Sequence, residues 1–464
     1  MRVFFYDRIS EGLTLTANRF NGTNQLNFLV DSRDSDPVRR AIALSLLDQA
    51  VFTLNGVTNV PTAAQIAAVL PGSSTIRSLD QEITAPYTMQ AAFSVERQLP
   101  WRTTMSASFI TSRSLHTLRA RNINAPICPL QINCLNSPRP NPALGNIYEY
   151  ESSGVQTQQQ LVVNFRSTLT QNISLFGNYR LGFAKGDSDG AGSFPAYSYD
   201  LTGEYGRSSG DVRNMFTIGG NINLPWEFSL SPFVIATSGR PFNITTGIDR
   251  NSDSLLNDRP SFATDLNRQC NFGTESNPII RNCVVQTAWG NFDLQPIPGQ
   301  TIIPRNYGEG PGSFTVNLRV SKNFGFGGGG ESTVAANQPN GDTTTGPNNR
   351  GGANRGGNRG GGGNRGGGGA ARGGGGGGGF GGGPMMMGGF GGGDRRKPYN
   401  LNLSINFQNL LNNVNFNTPV GNLSSFRFGQ STSTGGGFGG FGPGGGGGGG
   451  TANRRIELQA RFSW

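Results

Sequence analysis

Oxygen donors recur at alternate positions in one short stretch, Asp249-Arg-Asn251-Ser-Asp253-Ser-Leu-Leu-Asn257-Asp258. Carboxylate and amide oxygens spaced this way can surround a hard cation such as calcium. The stretch departs from a calcium loop in two places. Ser254 stands where the sharp turn calls for glycine, and Pro260 stands where a bidentate glutamate belongs. A polar loop folded on its own side chains explains the same residues. Calcium is the single cofactor the sequence suggests, and both readings stay open here.

The other reactive groups are sparse. Four cysteines form two close pairs in the chain, Cys128 with Cys134 and Cys270 with Cys283. In an oxidising compartment local disulfides are the natural pairing, with free thiols the alternative. Zinc is disfavoured, because His116 is the one histidine and the cysteine spacings are not those of a zinc site. A lone histidine, and no carboxylate pair in a recognisable motif, argue against an enzyme.

The net charge of +10 has a local source. Arginine alternates with glycine after Asn349, Asn354, Asn358 and Asn364. Arg-Gly repeats can hold RNA when aromatic rings are interleaved to stack on bases. Here Phe380 and Phe390 come only after the repeats, so we read residues 325–397 as a disordered basic linker. Nucleic acid is not an expected partner. The same glycine excess reappears at 435–450, and neither tract can bury a core.

The elements that must position these loops are strands. In Tyr87–Val95 the residues Tyr87, Met89, Ala91, Phe93 and Val95 are apolar and their neighbours mostly polar. Successive strand side chains point to opposite faces, so one face is oily and the other wet. The alternation returns at Phe216–Leu224, Phe228–Ala236, Phe314–Val320, Tyr399–Phe407 and Ile456–Trp464, and more weakly at 102–112, 158–168 and 172–184. These segments reach the roughly ten residues that a tilted strand needs to cross a bilayer, whereas soluble strands average about 5–6. Arg166, Arg180, Arg319 and Arg461 lie on the polar face, as a water-filled interior tolerates. The expected fold is all-β: an antiparallel transmembrane β-barrel with long extracellular loops in the cell outer membrane, its oily face against lipid.

Strand parity then assigns sides. If Trp464 ends in the periplasm, residues 113–157, 185–212, 238–312 and 412–453 fall outside. The tight connections at Leu99–Trp101, 169–171 and Leu224–Trp226 fall in the periplasm, as outer-membrane barrels require. Trp101, Trp226, Phe324, Tyr399 and Trp464 then share the periplasmic rim, where an aromatic girdle belongs. All four cysteines land outside. A helix is expected over 36–50, capped by Asp36 with Pro37 in its first turn, and a second over 61–70. The chain divides into 1–324 (strands and extracellular loops), 325–397 (linker) and 398–464 (last strands, with the glycine loop).

Several longer motifs resemble one family. Ala85-Pro-Tyr-Thr-Met-Gln90, Val95-Glu-Arg-Gln-Leu-Pro-Trp101 and Leu118-Arg-Ala-Arg-Asn-Ile-Asn-Ala-Pro126 are similar to the C-terminal barrel of Oar-like TonB-dependent receptors. So are Ser238–Thr246, Asn257–Pro260, Arg305–Gly312, Asn409–Pro419 and the ending Ile456–Trp464. The resemblance implies a barrel of about 22 strands, closed by an N-terminal plug and coupled to TonB, that takes up large ligands. It implies that the final aromatic strand, with Phe462 and Trp464, is read by the barrel-assembly machinery. Met1–Arg8 is no signal peptide, since Asp7 and Arg8 break a short apolar stretch. With about ten strands of membrane-crossing length, the chain is expected to be the C-terminal part of such a receptor, with plug and first strands missing. The ligand is not legible.

Overall fold

The computed structural model describes residues 2–6, 11–23, 25, 27–28, 37–47, 74–128, 134, 137–272, 278–327, 399–435 and 453–463. Trp464, the 61–70 segment, the Arg-Gly repeats and nearly all of both glycine tracts lie outside these residues.

Ten antiparallel strands follow one another in a single wall. They are β1 (Arg2–Tyr6), β2 (Tyr87–Leu99), β3 (Thr103–Asn122), β4 (Asn146–Thr168) and β5 (Ile173–Gly186). Then come β6 (Asn214–Leu224), β7 (Phe228–Thr237), β8 (Ser313–Phe326), β9 (Tyr399–Gln408) and β10 (Arg455–Ser463). Each pairs with its neighbours in chain order; β1 and β10 are the two edges and do not pair with each other, so the wall is open. The fold is thus the β-barrel wall expected from the alternation.

Register explains why the alternation matters. Val95, Ala107, Val163, Tyr179, Phe216, Ala236 and Phe314 stand opposite one another across seven strands. A second row runs Ile173, Ile222, Leu230, Val320, Ile405, Leu458. These rows are largely unburied by protein: Val95 is 54% exposed and Leu458 79%. An apolar belt of this extent is at rest only against hydrocarbon. The residues between them join into a polar ladder, with Ser94 to Ser108 at 2.8 Å, Asn178 Nδ2 to Asn164 at 2.6 Å and Ser229 to Ser321 at 2.6 Å. A one-residue slip would turn every one of these groups into lipid, which fixes the register.

Three connections at one end are tight: 100–102, 169–172 and 225–227. Trp101 and Arg102 have φ of 60° and 50°, and Trp226 and Glu227 have 62° and 60°. Two consecutive left-handed residues suit the twist of a hairpin, and Asn-Gly usually supplies them. Here tryptophan does so at a local backbone cost, and both indoles project, 81% and 84% exposed. Amphipathic rings at that level anchor a wall at the membrane–water interface.

Among the described residues, the long connections lie at the opposite end. β3 and β4 have 20 and 23 residues, about twice what a bilayer needs. Their outer halves rise beyond the membrane and are buried, as at Ala120, Asn122, Tyr148 and Tyr150. A register shift at Leu115–Arg119, with His116 at φ 57°, marks where the strand leaves the membrane-length portion. The helix Pro37–Leu47 forms inside the expected 36–50 segment, and Glu11–Arg19 is a helix that the pattern did not announce.

The core of the molecule is in this outer cap and not in the wall. Phe242, Ile244, Phe292, Leu294, Ile303 and Leu423 form one buried cluster. Short pairs Pro241–Phe242 with Gly308–Glu309, and Ser261–Phe262 with Gly290–Asp293, frame it.

Candidate functional site

The cap is where the fold concentrates polar chemistry. Its hub is the oxygen-rich stretch picked out by spacing. Asp249, Asn251, Asp253 and Asp258 are buried, and Asn257 is half-buried. Backbone amides claim the carboxylates. Asp253 N donates to Asp249 Oδ1 at 3.1 Å, Ser254 N to Asp249 Oδ2 at 2.9 Å, Leu255 N to Asp253 Oδ1 at 2.8 Å and Arg250 N to Asp258 Oδ2 at 2.7 Å. Asn251 Nδ2 donates to Asp253 Oδ2 at 3.1 Å. Ser252 and Ser254 take φ of 57° and 68° to make these tight turns.

The hub also reaches outward. Asn122 Nδ2 donates to Asp253 O, Asn251 Nδ2 to Ala196 O, Asn257 Nδ2 to Phe194 O and Pro195 O, and Arg139 Nη2 to Ser252 O. One loop thereby fastens the segments 123–145 and 187–213 to its own. This arrangement uses the oxygens as acceptors for N–H groups. Among the described residues, Asp249, Asp253 and Asp258 do not form a group of three ligand atoms within 4.8 Å of one another; Cys270, Cys283 and Asp293 do, and those sulfurs are bonded to each other.

Burial pushes the Asp253 carboxyl well above the usual range, and neighbouring Asp249 and Asp258 push it the same way. Burial likewise raises Asp258 to about 7. Desolvation disfavours the charged form, and like charges add to it.

Cysteine placement is local. Cys128 is joined to Cys134 and Cys270 to Cys283, with Cα atoms 5.5 and 5.3 Å apart, and both bonds lie in the cap. At the other end, Phe324 is 38% exposed under the Lys322 ammonium at 4.9 Å. Tyr399 stacks with Phe326 and Phe462 at centroid separations of 6.2 and 6.1 Å. With Trp101 and Trp226 these rings share one rim.

Spacing did not reveal the ion pairs that hold the cap shut. Arg119, 2% exposed, meets Asp187 at 2.6 Å and Glu151 at 3.8 Å. Arg259 meets Glu204 at 2.8 Å, Arg305 meets Asp189 at 2.5 Å and Arg268 meets Asp293 at 2.5 Å. Partners 25 to 116 positions apart leave no local pattern; for Arg119, Arg259 and Arg305 the signal was arginine inside the motifs Leu118–Pro126, Asn257–Pro260 and Arg305–Gly312, and Arg268 had none.

A membrane-length wall with an apolar belt, a rim of aromatics and a loop cap at one end defines an outer-membrane β-barrel. The chain belongs to the outer membrane beta barrel domain family, whose model matches residues 4–340, and its place is the outer membrane. Among solved structures it is similar to the outer-membrane transporter YddB from Escherichia coli, at 9% identity and a TM-score of 0.38, with 85% of this chain and 34% of that one covered. It is also similar to the FrpB iron transporter from Neisseria meningitidis, at 7% identity and 0.34, with 84% and 33% covered. The chain thus spans about a third of the length of these transporters. No curated protein matches it in sequence.

Proposed function

We propose that this chain is wall and extracellular cap of an Oar-like TonB-dependent receptor, working in ligand uptake and catalysing no reaction. One observation carries the reading: three of the motifs on which the resemblance rests, Ser238–Thr246, Asn257–Pro260 and Arg305–Gly312, meet in the cap. Pro241–Phe242 pairs with Gly308–Glu309, Thr246 N donates to Asp258 O at 2.8 Å, Ile303 N to Pro260 O at 3.0 Å, and Asn122 Nδ2 to Asp253 O at 3.1 Å. Leu410 N of a further motif donates to Val316 O at 2.7 Å. Long-range cohesion of this kind suits a surface that must keep its shape while facing ligand. The open edges β1 and β10 are left for further strands, because unpaired backbone groups in hydrocarbon are prohibitively costly.

Chemical cross-linking in living cells, followed by isolation of the whole gene product, tests the reading. Recovery of a TonB-type energy transducer on the product supports uptake. An outer-membrane product that captures no such partner, and whose deletion leaves every proton-motive-force-dependent uptake intact, overturns it in favour of a structural surface barrel.

A further inference from the structure

Between the loops 187–213 and 238–312 lies a partly open cavity of about 160 Å³. Arg259, Arg305, Asp189, Glu204, Asn257 and Phe194 line it. Asn243 and Asn306 complete the polar wall. Two features set the chemistry of what it can hold.

The first is charge. Arg259 pairs with Glu204 and Arg305 with Asp189, so two guanidinium groups face two carboxylates and the lining is balanced. A cation would meet the arginines and an anion the carboxylates; a neutral guest meets neither penalty. The second is unmet hydrogen bonding. Arg259 is 6% exposed, yet its Nε and Nη1 have no partner, and Asn257 Oδ1, also buried, accepts nothing. Buried donors and acceptors without partners are costly, so the guest must accept from the guanidinium and donate to the amide. Hydroxyl groups do both. Arg305 Nη2 is already held by Asp189 and by Ser193 Oγ at 3.1 Å, and Glu204 Oε1 accepts from Ala196 N at 3.0 Å, so the lining is set before any guest arrives. Phe194, braced edge-to-face on Tyr148 at 4.8 Å, adds an apolar surface suited to the C–H side of a ring.

We propose that this cavity binds a neutral polyhydroxylated ligand, a sugar ring or the terminal sugar of a larger glycan. The inference deepens the uptake reading by naming a ligand class and rests on it for its biological meaning. Binding itself is measured on the purified protein and does not depend on transport, so either can fail alone.

The test is calorimetric titration of the detergent-solubilised full chain with D-glucose, D-galactose and D-mannose, and separately with inorganic phosphate. Saturable binding of at least one sugar, tighter than phosphate, is expected. Arg259→Lys keeps a cation beside Glu204 but removes the two unmet donor groups. It should weaken that sugar about ten- to hundredfold, the range for hydrogen bonds to a charged group. Arg268→Lys alters a comparable ion pair outside the cavity and should leave affinity unchanged. Binding of phosphate in preference to sugars, no saturable sugar binding, or equal weakening by both substitutions would overturn the proposal.

Discussion

Replacing Phe292 by alanine should loosen the cap and spare the wall. The ring is fully buried, in the cluster with Ile244 and Ile303, with Phe262 and Tyr307 at centroid distances of 6.2 and 6.1 Å. Removing such a ring costs about 3–5 kcal/mol, from lost transfer energy and the cavity left behind. At about 1.4 kcal/mol per tenfold, the open population of the cap rises roughly a hundred- to several-thousandfold. Trypsin reads this directly. Arg268 and Arg305 are largely protected, at 21% and 8% side-chain exposure, and cleavage there requires opening. When opening and closing are fast, the cleavage rate tracks the open population. The variant should be cut faster at these sites by that factor, while heat-dependent unfolding of the barrel, followed by gel mobility, is unchanged. Unaltered cleavage would refute a cap with its own core. A barrel melting in step with the cap would refute its independence from the wall.

Phe109 and Ser108 are neighbours on opposite faces of β3. Phe109→Arg should destabilise the inserted wall by about 2–4 kcal/mol, and Ser108→Arg should be nearly neutral, as measured by reversible unfolding in detergent or lipid. Arg119→Met leaves the half-buried Asp187 without its cation, while Glu151 keeps Arg121 at 2.8 Å; the cap should lose up to about 3 kcal/mol, the low end for a broken buried pair, read by hydrogen exchange at the outer halves of β3 and β4. The raised carboxyls of Asp253 and Asp258 give a pH dependence with a definite sign. Their neutral form is favoured by folding, so the stabilisation is complete below the unfolded value of about 4 and is lost as pH rises through about 7. Cap protection should therefore fall between pH 4 and 8, about these two values, and Asp258→Asn should flatten the slope.

How far the sequence could be read depends on how local each cause is. The wall was legible because its cause repeats every second residue: Phe93 and Val95 against Ser94, or Leu401 to Phe407 against Asn400 to Asn406. Tight turns followed from Leu-Pro-Trp at two places, although the left-handed pairs Trp101–Arg102 and Trp226–Glu227 break the usual turn preference and could be placed only by parity. The full lengths of β3 and β4 were missed, because beyond Leu115 burial under loops replaces lipid on both faces and the alternation fades. The aspartate stretch was found from its spacing, but its role as a hub was not visible, since its partners Asn122, Arg139 and Ala196 lie far away in the chain. For the same reason the cluster around Phe292 and the pair Arg259–Glu204 gave no sign. Closing a cavity from five distant segments is a property of the assembled cap alone.

Sidedness of the wall can be measured directly, since both cysteine pairs are bonded and leave little background. Single cysteines are introduced at Ser209, exposed in the cap, and at Thr170, exposed in the tight turn between β4 and β5, and intact cells are treated with a membrane-impermeant maleimide. Ser209→Cys should label at once, and Thr170→Cys only after the outer membrane is breached. Labelling of Thr170→Cys in intact cells with Ser209→Cys silent would contradict the crossing, and equal labelling of both in a soluble fraction would remove the membrane from the account altogether.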